Sequence, residues 1–291
     1  MNRTFASQLA ARWVAVLGIA IGFAGGAAAV DAAEVTLDRW PRERAHDLPA
    51  LQSGARTFAN YCLNCHSANL MRWNRLHDIG LDDAQIKGSL IFGNQKVGDL
   101  MTIALNPKDA KAWFGKAPPD LSLITRARTT DAYAGTDYVY TLLRGFYRDR
   151  SSPTGWNNVA YPNIAMPNIF WEQGPREATI TKVAEESPAD GKGKEVLVRT
   201  VSVYDAGGYV NSTRTVLEHG DPSFDYSFKP ADDKAAAAVD DEVANLVAYL
   251  AWMTEPIGPS RVRIGVWALI FLGIFTIFAW RLNAIYWKDV K

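Results

Sequence analysis

The chain has 291 residues, enough for one sizeable core with additions, and its 31 basic and 31 acidic side chains balance. No basic run with interleaved aromatics occurs, which excludes a nucleic-acid binder. Setting aside Arg3, Arg12 and Asp31 near the start, and Arg261, Arg263, Arg281, Lys288, Lys291 and Asp289 at the end, leaves 24 basic and 29 acidic groups, a net of −5 that suits steering of a basic partner.

Residues 1–33 have the pattern of an export signal: Arg3 and Arg12, an apolar stretch from Trp13 to Ala29, then small residues, with cleavage expected between Ala29 and Ala33. The alternative is an uncleaved anchor, against which the Gly- and Ala-rich character of the stretch argues. Residues 34–50 lack periodicity and read as an extended arm, with helix from about Leu48. Gly54, Phe58 and Cys62 then fall four apart on one helical face, where the glycine admits a second helix closely.

That face leads into Tyr61-Cys62-Leu63-Asn64-Cys65-His66, which holds both cysteines of the chain. C-x-x-C-H is the spacing of covalent haem attachment: two thiols on one turn reach two vinyl groups, and the next residue presents an imidazole to the iron. A structural zinc site would need a second Cys or His pair, and His46, His77 and His219 are scattered. A thioredoxin-like redox pair would need a βαβ setting that the helical residues before Cys62 do not supply. Two cysteines that merely pack would leave His66 an accident.

Met71 to Arg75 are expected to wall one edge of the haem, and Asp82 to Ile91 to form a short helix. Asp120 is placed to cap a helix starting at Leu121. Arg126 and Arg128 are either a solvated face or, for one of them, a propionate partner, since a guanidinium fork fits a carboxylate. A further helix is expected over Thr136–Gly145. Residues 151–175, rich in Pro, Asn and Gly, form a long irregular loop, which in a compact domain points to function. Its centre, Tyr161-Pro162-Asn163-Ile164-Ala165-Met166-Pro167, carries a thioether stiffened by prolines, one option for the second axial ligand. Met166 is the better candidate on the residues alone; Met101, a histidine or an open iron site remain open at this point.

Alternating, β-branched stretches at Ala178–Val183, Val196–Tyr204 and Tyr209–Leu217, with a turn at Asp205–Gly208, predict a small β insert over about 176–230. Residues 235–254 carry the apolar stripe Val243, Leu246, Val247 and Leu250, with Asp240, Asp241 and Glu242 expected to favour the helix N-terminal end. Pro256 and Pro259 are expected to end it. Val262–Trp280 is long and apolar enough to span a bilayer, and Arg281, Trp287, Lys288 and Lys291 follow like an interface and a cytoplasmic tail. The expected divisions are therefore a signal (1–33), a haem domain (34–260), an anchor (261–281) and a tail (282–291).

Taken together, the chain resembles the cytochrome c1 family, the haem-bearing subunits of cytochrome bc1 complexes. The resemblance rests on Tyr61–His66, on Ala117-Pro118-Pro119-Asp120-Leu121-Ser122 with Arg126-Ala127-Arg128, on Asp137-Tyr138-Val139, on Ile164-Ala165-Met166-Pro167, and on Trp252-Met253-Thr254-Glu255-Pro256 before the anchor. It implies a mainly α, class I cytochrome c-like helical haem domain with a small β insert and one C-terminal transmembrane helix. It implies one covalently bound haem c on Cys62 and Cys65, axial ligation by His66 and Met166, and propionate contacts from Arg128 and Tyr138. It implies partners as well: cytochrome b, a Rieske iron–sulfur protein as electron donor and a cytochrome c as acceptor, in a dimeric quinol–cytochrome c reductase. The chain departs from the family pattern in an insert longer than in mitochondrial members, a differently organised stretch before Pro118 and a single proline close after Met166; the insert and the short, accessory-free look suit a bacterial protein, with its head on the periplasmic side of the inner membrane. Another anchored monohaem cytochrome, such as an oxidase subunit, and a haem enzyme with an open iron site are the alternatives.

Overall fold

A computed structural model describes residues 35–174, 176–187 and 195–288; the expected export signal lies outside them. In chain order the elements are α1 (Leu48–Thr57), β1 (Ala68–Arg72), α2 (Asp83–Ser89), β2 (Leu100–Met101), α3 (Pro107–Phe114), α4 (Ile124–Ala127), α5 (Gly135–Arg144), β3 (Phe146–Arg148) and β4 (Trp156–Asn158). There follow β5 (Arg176–Glu186), β6 (Val196–Tyr204), β7 (Val210–Leu217), β8 (Ser223–Pro230), α6 (Asp233–Thr254) and α7 (Gly258–Tyr286).

The head is organised around the crossing of α1 and α6. A Cβ on Gly54 would lie 2.0 Å from the Asn245 carbonyl oxygen and 2.7 Å from the Tyr249 Cβ, so the two backbones touch at a point only glycine permits. Leu51, Phe58, Val243, Leu246 and Val247 are buried around it, each removing apolar surface worth about 1.5–3 kcal/mol. Phe58 and Tyr249 pack at 5.4 Å between ring centroids. Past Thr57 the helix widens into a π-helical turn, Phe58–Cys62, which carries the first cysteine inward.

The acids of α6 do something other than favour its N-terminal end. The N-cap is Asp232, whose carboxylate accepts from the amides of Lys234 and Ala235. Asp240 lies two turns in and takes both arms of Arg144 at 2.6 and 2.7 Å; Asp241 accepts from Arg44 at 2.9 Å, and Glu242 from the Thr57 hydroxyl at 3.0 Å. These acids tie α1, α5 and the N-terminal arm to α6. The arm itself is less extended than its composition predicts, containing a 3-10 segment at Arg42–His46, and Trp40 donates its indole N–H to the Ala244 carbonyl at 3.0 Å.

β structure is wider than one small insert. The β5–β8 sheet is antiparallel in the order β7-β6-β5-β8, and two short ribbons, β1–β2 and β3–β4, lie outside it. β8 is an addition to the three predicted strands: Phe224, Tyr226 and Phe228 alternate with polar residues, and it pairs along β5 from Arg176↔Pro230 to Val183↔Ser223. The sheet joins the head where Tyr147 and Val159 pack on Ala178, with Arg176 stacked at 3.8 Å on the Phe228 ring and donating to the Phe146 carbonyl. Pro259 opens α7 rather than ending α6; the turn between them is Glu255–Ile257. Within α7, Ser260–Tyr286 is long and apolar enough to cross a membrane, and none of it is covered by the head.

Candidate haem site

Cys62, Cys65 and His66 close a single turn at the end of the π-helical segment. The Cys62 carbonyl accepts from both the Cys65 amide (3.1 Å) and the His66 amide (2.9 Å). Cys62 is buried against the core and Cys65 is exposed, so one sulfur faces inward and the other lies at the surface. Burial, with the Cys65 thiol second, pushes the Cys62 thiol up to about 12, the opposite of the lowered value that a thiolate nucleophile or zinc ligand needs. Among the described residues, no group of three or more His, Cys, Asp or Glu side chains is placed to hold a metal ion.

The imidazole is oriented by its surroundings. His66 Nδ1 lies 2.7 Å from the Pro119 carbonyl oxygen. A carbonyl only accepts, so the proton is on Nδ1 and the Nε2 lone pair is left for a metal, the arrangement that axial ligation requires. Burial lowers the His66 pKa, opposed by the Pro119 hydrogen bond and the Asp120 charge; the net downward shift favours the neutral ring, the form that can ligate.

Asp120 is where the structure departs from local capping. The following helix is α4, starting at Ile124 with Leu123 as its N-cap. The Asp120 carboxylate instead accepts from the Ser67 hydroxyl (2.9 Å), the Asn69 amide (2.7 Å) and the Ser122 amide (2.8 Å). With the Leu121 amide on the Ser67 carbonyl at 2.8 Å, this clamps residues 67–69 to 120–122 and holds the Pro119 carbonyl against His66. Burial raises the Asp120 pKa, but the hydrogen bonds from Asn69, Ser122 and Ser67 together outweigh it, and the net shift is downward.

Met166 packs on the same core. Its loop leaves β4 through Asn157 and Asn158, both buried. The Asn158 Oδ1 accepts from the amides of Ala160 (2.9 Å) and Tyr161 (3.2 Å), while its Nδ2 donates to the Leu142 carbonyl (2.7 Å). The Asn157 Oδ1 accepts from the Asn163 amide at 2.8 Å, and Asn163 adopts φ 59°, a left-handed conformation asparagine tolerates. Buried Asn168 accepts from the Phe170 amide at 2.9 Å, and Phe170 packs on Tyr61 beside the cysteines. Met166 is partly buried on the cluster that also contains Cys62, Leu121, Ile124 and Tyr138. Met71, Met101 and Met253 are buried by contrast, and the Met101 sulfur accepts from the Tyr249 hydroxyl at 3.7 Å.

Arg128 is exposed, with its guanidinium 5.4 Å from the centre of the Tyr138 ring; Tyr138 stacks on Tyr133 at 5.9 Å. Burial raises the Tyr138 pKa, Arg128 lowers it, and Tyr133 and Tyr161 raise it. Lys116 donates to the Tyr161 hydroxyl at 3.3 Å. Lys116, Tyr133, Tyr161 and the three asparagines were not singled out by sequence reasoning; the Asn157-Asn158 pair heading a proline-rich loop is the signal that was available for the last. Met71, Arg72 and Arg75, expected at the haem edge, line a cavity with Met253 and Pro256.

Residues 93–290 match the Cytochrome C1 family. The match starts downstream of Cys62–His66, but the whole-chain relatives extend further. A protein of Nitrosomonas europaea named ammonia monooxygenase gamma subunit is 38% identical over 96% of this chain and 99% of its own length. Cytochrome c1 of Allochromatium vinosum is 36% identical over 84% of this chain and 86% of its own, and cytochrome c1 of Rhodospirillum rubrum 28% identical over 84% of each. The geometry around Cys62–His66 and this breadth of similarity agree: the chain belongs to the cytochrome c1 family.

Proposed function

We propose that this chain is the haem-bearing electron-transfer subunit of a quinol–cytochrome c reductase of the bc1 type, holding one covalent haem c. The observation that carries the reading is the His66 Nδ1 bond to Pro119, which presents Nε2 one residue after two cysteines on a single turn. In this reading Cys62 and Cys65 form the thioether links, His66 and Met166 are the axial ligands, and Arg128 and Tyr138 face the propionates. Bound haem supplies a one-electron iron couple, whose potential a His/Met pair raises. The chain's part is to orient the ligands, exclude water with the core around Cys62, and balance propionate charge with Arg128 and Lys116. Family membership supports association with cytochrome b and a Rieske protein. The Rieske protein would be the donor and a cytochrome c the acceptor, in a dimeric complex.

The apolar length of α7 supports a single-pass anchor, with the head on the periplasmic side of a bacterial inner membrane and Lys288 on the cytoplasmic side. The same reading divides the chain into a removed signal (1–33), a haem domain (34–260), an anchor (261–281) and a tail (282–291).

A pyridine haemochrome spectrum and haem staining on a denaturing gel test the central claim. Wild type stains, and Cys62→Ala and Cys65→Ala lose most of the stain; full staining of both variants would refute covalent attachment. The name of the Nitrosomonas relative favours a second reading, in which the same carrier serves a different oxidising complex. Co-purification decides between them: cytochrome b and a Rieske protein support the first, monooxygenase subunits the second.

A further inference from the structure

The head carries a cavity of about 350 Å³ at the α6–α7 junction, lined by Leu70, Arg72, Arg75, Leu123, Met253 and Pro256 among others. Its walls are divided by chemistry. Leu70 is 71% exposed and Leu123 47%, a strongly apolar lip for a soluble surface, and Ile257, next to lining residue Pro256, is 56% exposed. Two arginines line the same cavity. Arg72 uses one N–H on the Gly98 carbonyl (2.7 Å), and the rest of its fork has no partner among the described residues; Arg75 pairs with Asp78 at 2.7 Å, both side chains being about half exposed.

The height of the cavity matters. The apolar part of α7 starts at Ser260, four residues after Pro256, roughly 6 Å of helical rise. The headgroup layer on each side of a bilayer core is about 5–7 Å thick. With α7 in a membrane, which rests on the functional reading above, the cavity sits at headgroup level. Arg261 and Arg263 begin the same helix, Arg261 paired with Glu255.

We propose that this cavity is a binding site for one anionic phospholipid, its phosphate held between Arg72 and Arg75 and its acyl chain leaving along Leu70 and Leu123 toward α7. Arginine forks match phosphate oxygens, and an apolar lip leading to a membrane helix fits a lipid and not a free ion.

The test uses the full-length, haem-loaded protein exchanged into mixed phosphatidylglycerol and phosphatidylcholine, with retained lipid counted by native mass spectrometry. Wild type should retain one phosphatidylglycerol per chain, and excess inorganic phosphate should not displace it. The Arg72→Gln/Arg75→Gln pair should retain roughly 25-fold less and Arg75→Gln alone roughly fivefold less, at about one such factor per membrane-surface cation. Leu70→Gln, at an exposed position, should weaken retention without altering the melt, and an unchanged haem spectrum certifies each fold. Equal retention of both lipids, undiminished retention by the arginine variants, or displacement by inorganic phosphate would overturn the proposal. So would a neighbouring subunit, found by cross-linking from position 70 in the intact complex, that fills the cavity without lipid. A chain that stays soluble without detergent would instead refute the anchor reading.

Discussion

The two sides of the candidate haem site are built by opposite means. Cys62, Cys65 and His66 sit at the end of a helix whose backbone touches α6 at Gly54, and the imidazole is held by a carbonyl that Asp120 clamps in place. Met166 sits on a loop with no regular structure of its own, shaped by side-chain amides of Asn157, Asn158 and Asn168 standing in for a backbone ladder. One side is fixed by main-chain packing; the other depends on a few hydrogen bonds that each contribute about 1 kcal/mol. The attachment side should therefore hold its geometry under perturbation, and the thioether side should yield first.

Replacing the thioether itself should have the largest effect. Met166→Leu keeps volume and removes the sulfur, so packing changes little. The variant should keep haem on Cys62 and Cys65, lose the sulfur-to-iron charge-transfer band of the oxidised protein, shift to a lower potential and lose on the order of tenfold or more in quinol-to-cytochrome c turnover. Met101→Leu should keep both band and turnover, because Met101 is wholly buried and its sulfur already accepts from Tyr249. The reverse pattern would exchange their roles. On the attachment side, Gly54→Ala drives a methyl into the Asn245 carbonyl and should cost about 3 kcal/mol, read as a lowered unfolding midpoint. A midpoint equal to wild type would mean that the helix crossing gives way easily and that the contrast between the two sides is overstated.

The stiff side was also the more legible one in the sequence. Apolar residues at helical spacing placed α1 and α6, and the long apolar run, charged only at Arg263 near its start, placed α7, because those signals are local and repeat. Relations between distant residues were hidden. Asp120 looks like a cap when only its neighbours are considered, yet its partners Ser67 and Asn69 lie some fifty residues away. Asp240 to Glu242 look like charges suited to a helix start, yet they answer Arg144, Arg44 and Thr57. β8 carries period-2 aromatics, Phe224, Tyr226 and Phe228, but sits just after Pro222 in a run that is short and polar on its other face. Met166 could be favoured from its prolines, whereas the asparagines that shape its loop could not be told from ordinary loop residues.

The loop itself is tested by Asn158→Ala. Its amide serves three backbone groups, and removing it leaves the Leu142 carbonyl without that donor. A cost of about 2 kcal/mol is expected, smaller than at Gly54. The selective readout is ligand exchange: added imidazole should displace the native sixth ligand faster in Asn158→Ala than in wild type, with covalent haem content unchanged. If exchange is no faster while the melt falls, the asparagine stabilises the fold without positioning Met166.

The smallest effect is expected at Asp120, and its sign follows from linkage. The carboxyl is held below the usual carboxylate range because the hydrogen bonds from Asn69, Ser122 and Ser67 outweigh the penalty of burial. A group with a lowered folded pKa contributes stability that is full above its unfolded value and disappears as pH falls through the folded one. Asp120→Asn keeps one acceptor oxygen and cannot ionise, so it lacks that contribution at any pH. Urea unfolding of wild type and variant should differ at neutral pH by less than about 1 kcal/mol, because the carboxylate is largely exposed and screened. The difference should shrink toward zero below the ordinary carboxylate range, where wild type also becomes neutral. A difference that persists undiminished in acid would mean that the clamp works by shape and not by charge. In that case the orientation of His66 would owe nothing to the ionisation of its neighbour, and the attachment side would be the more purely steric of the two.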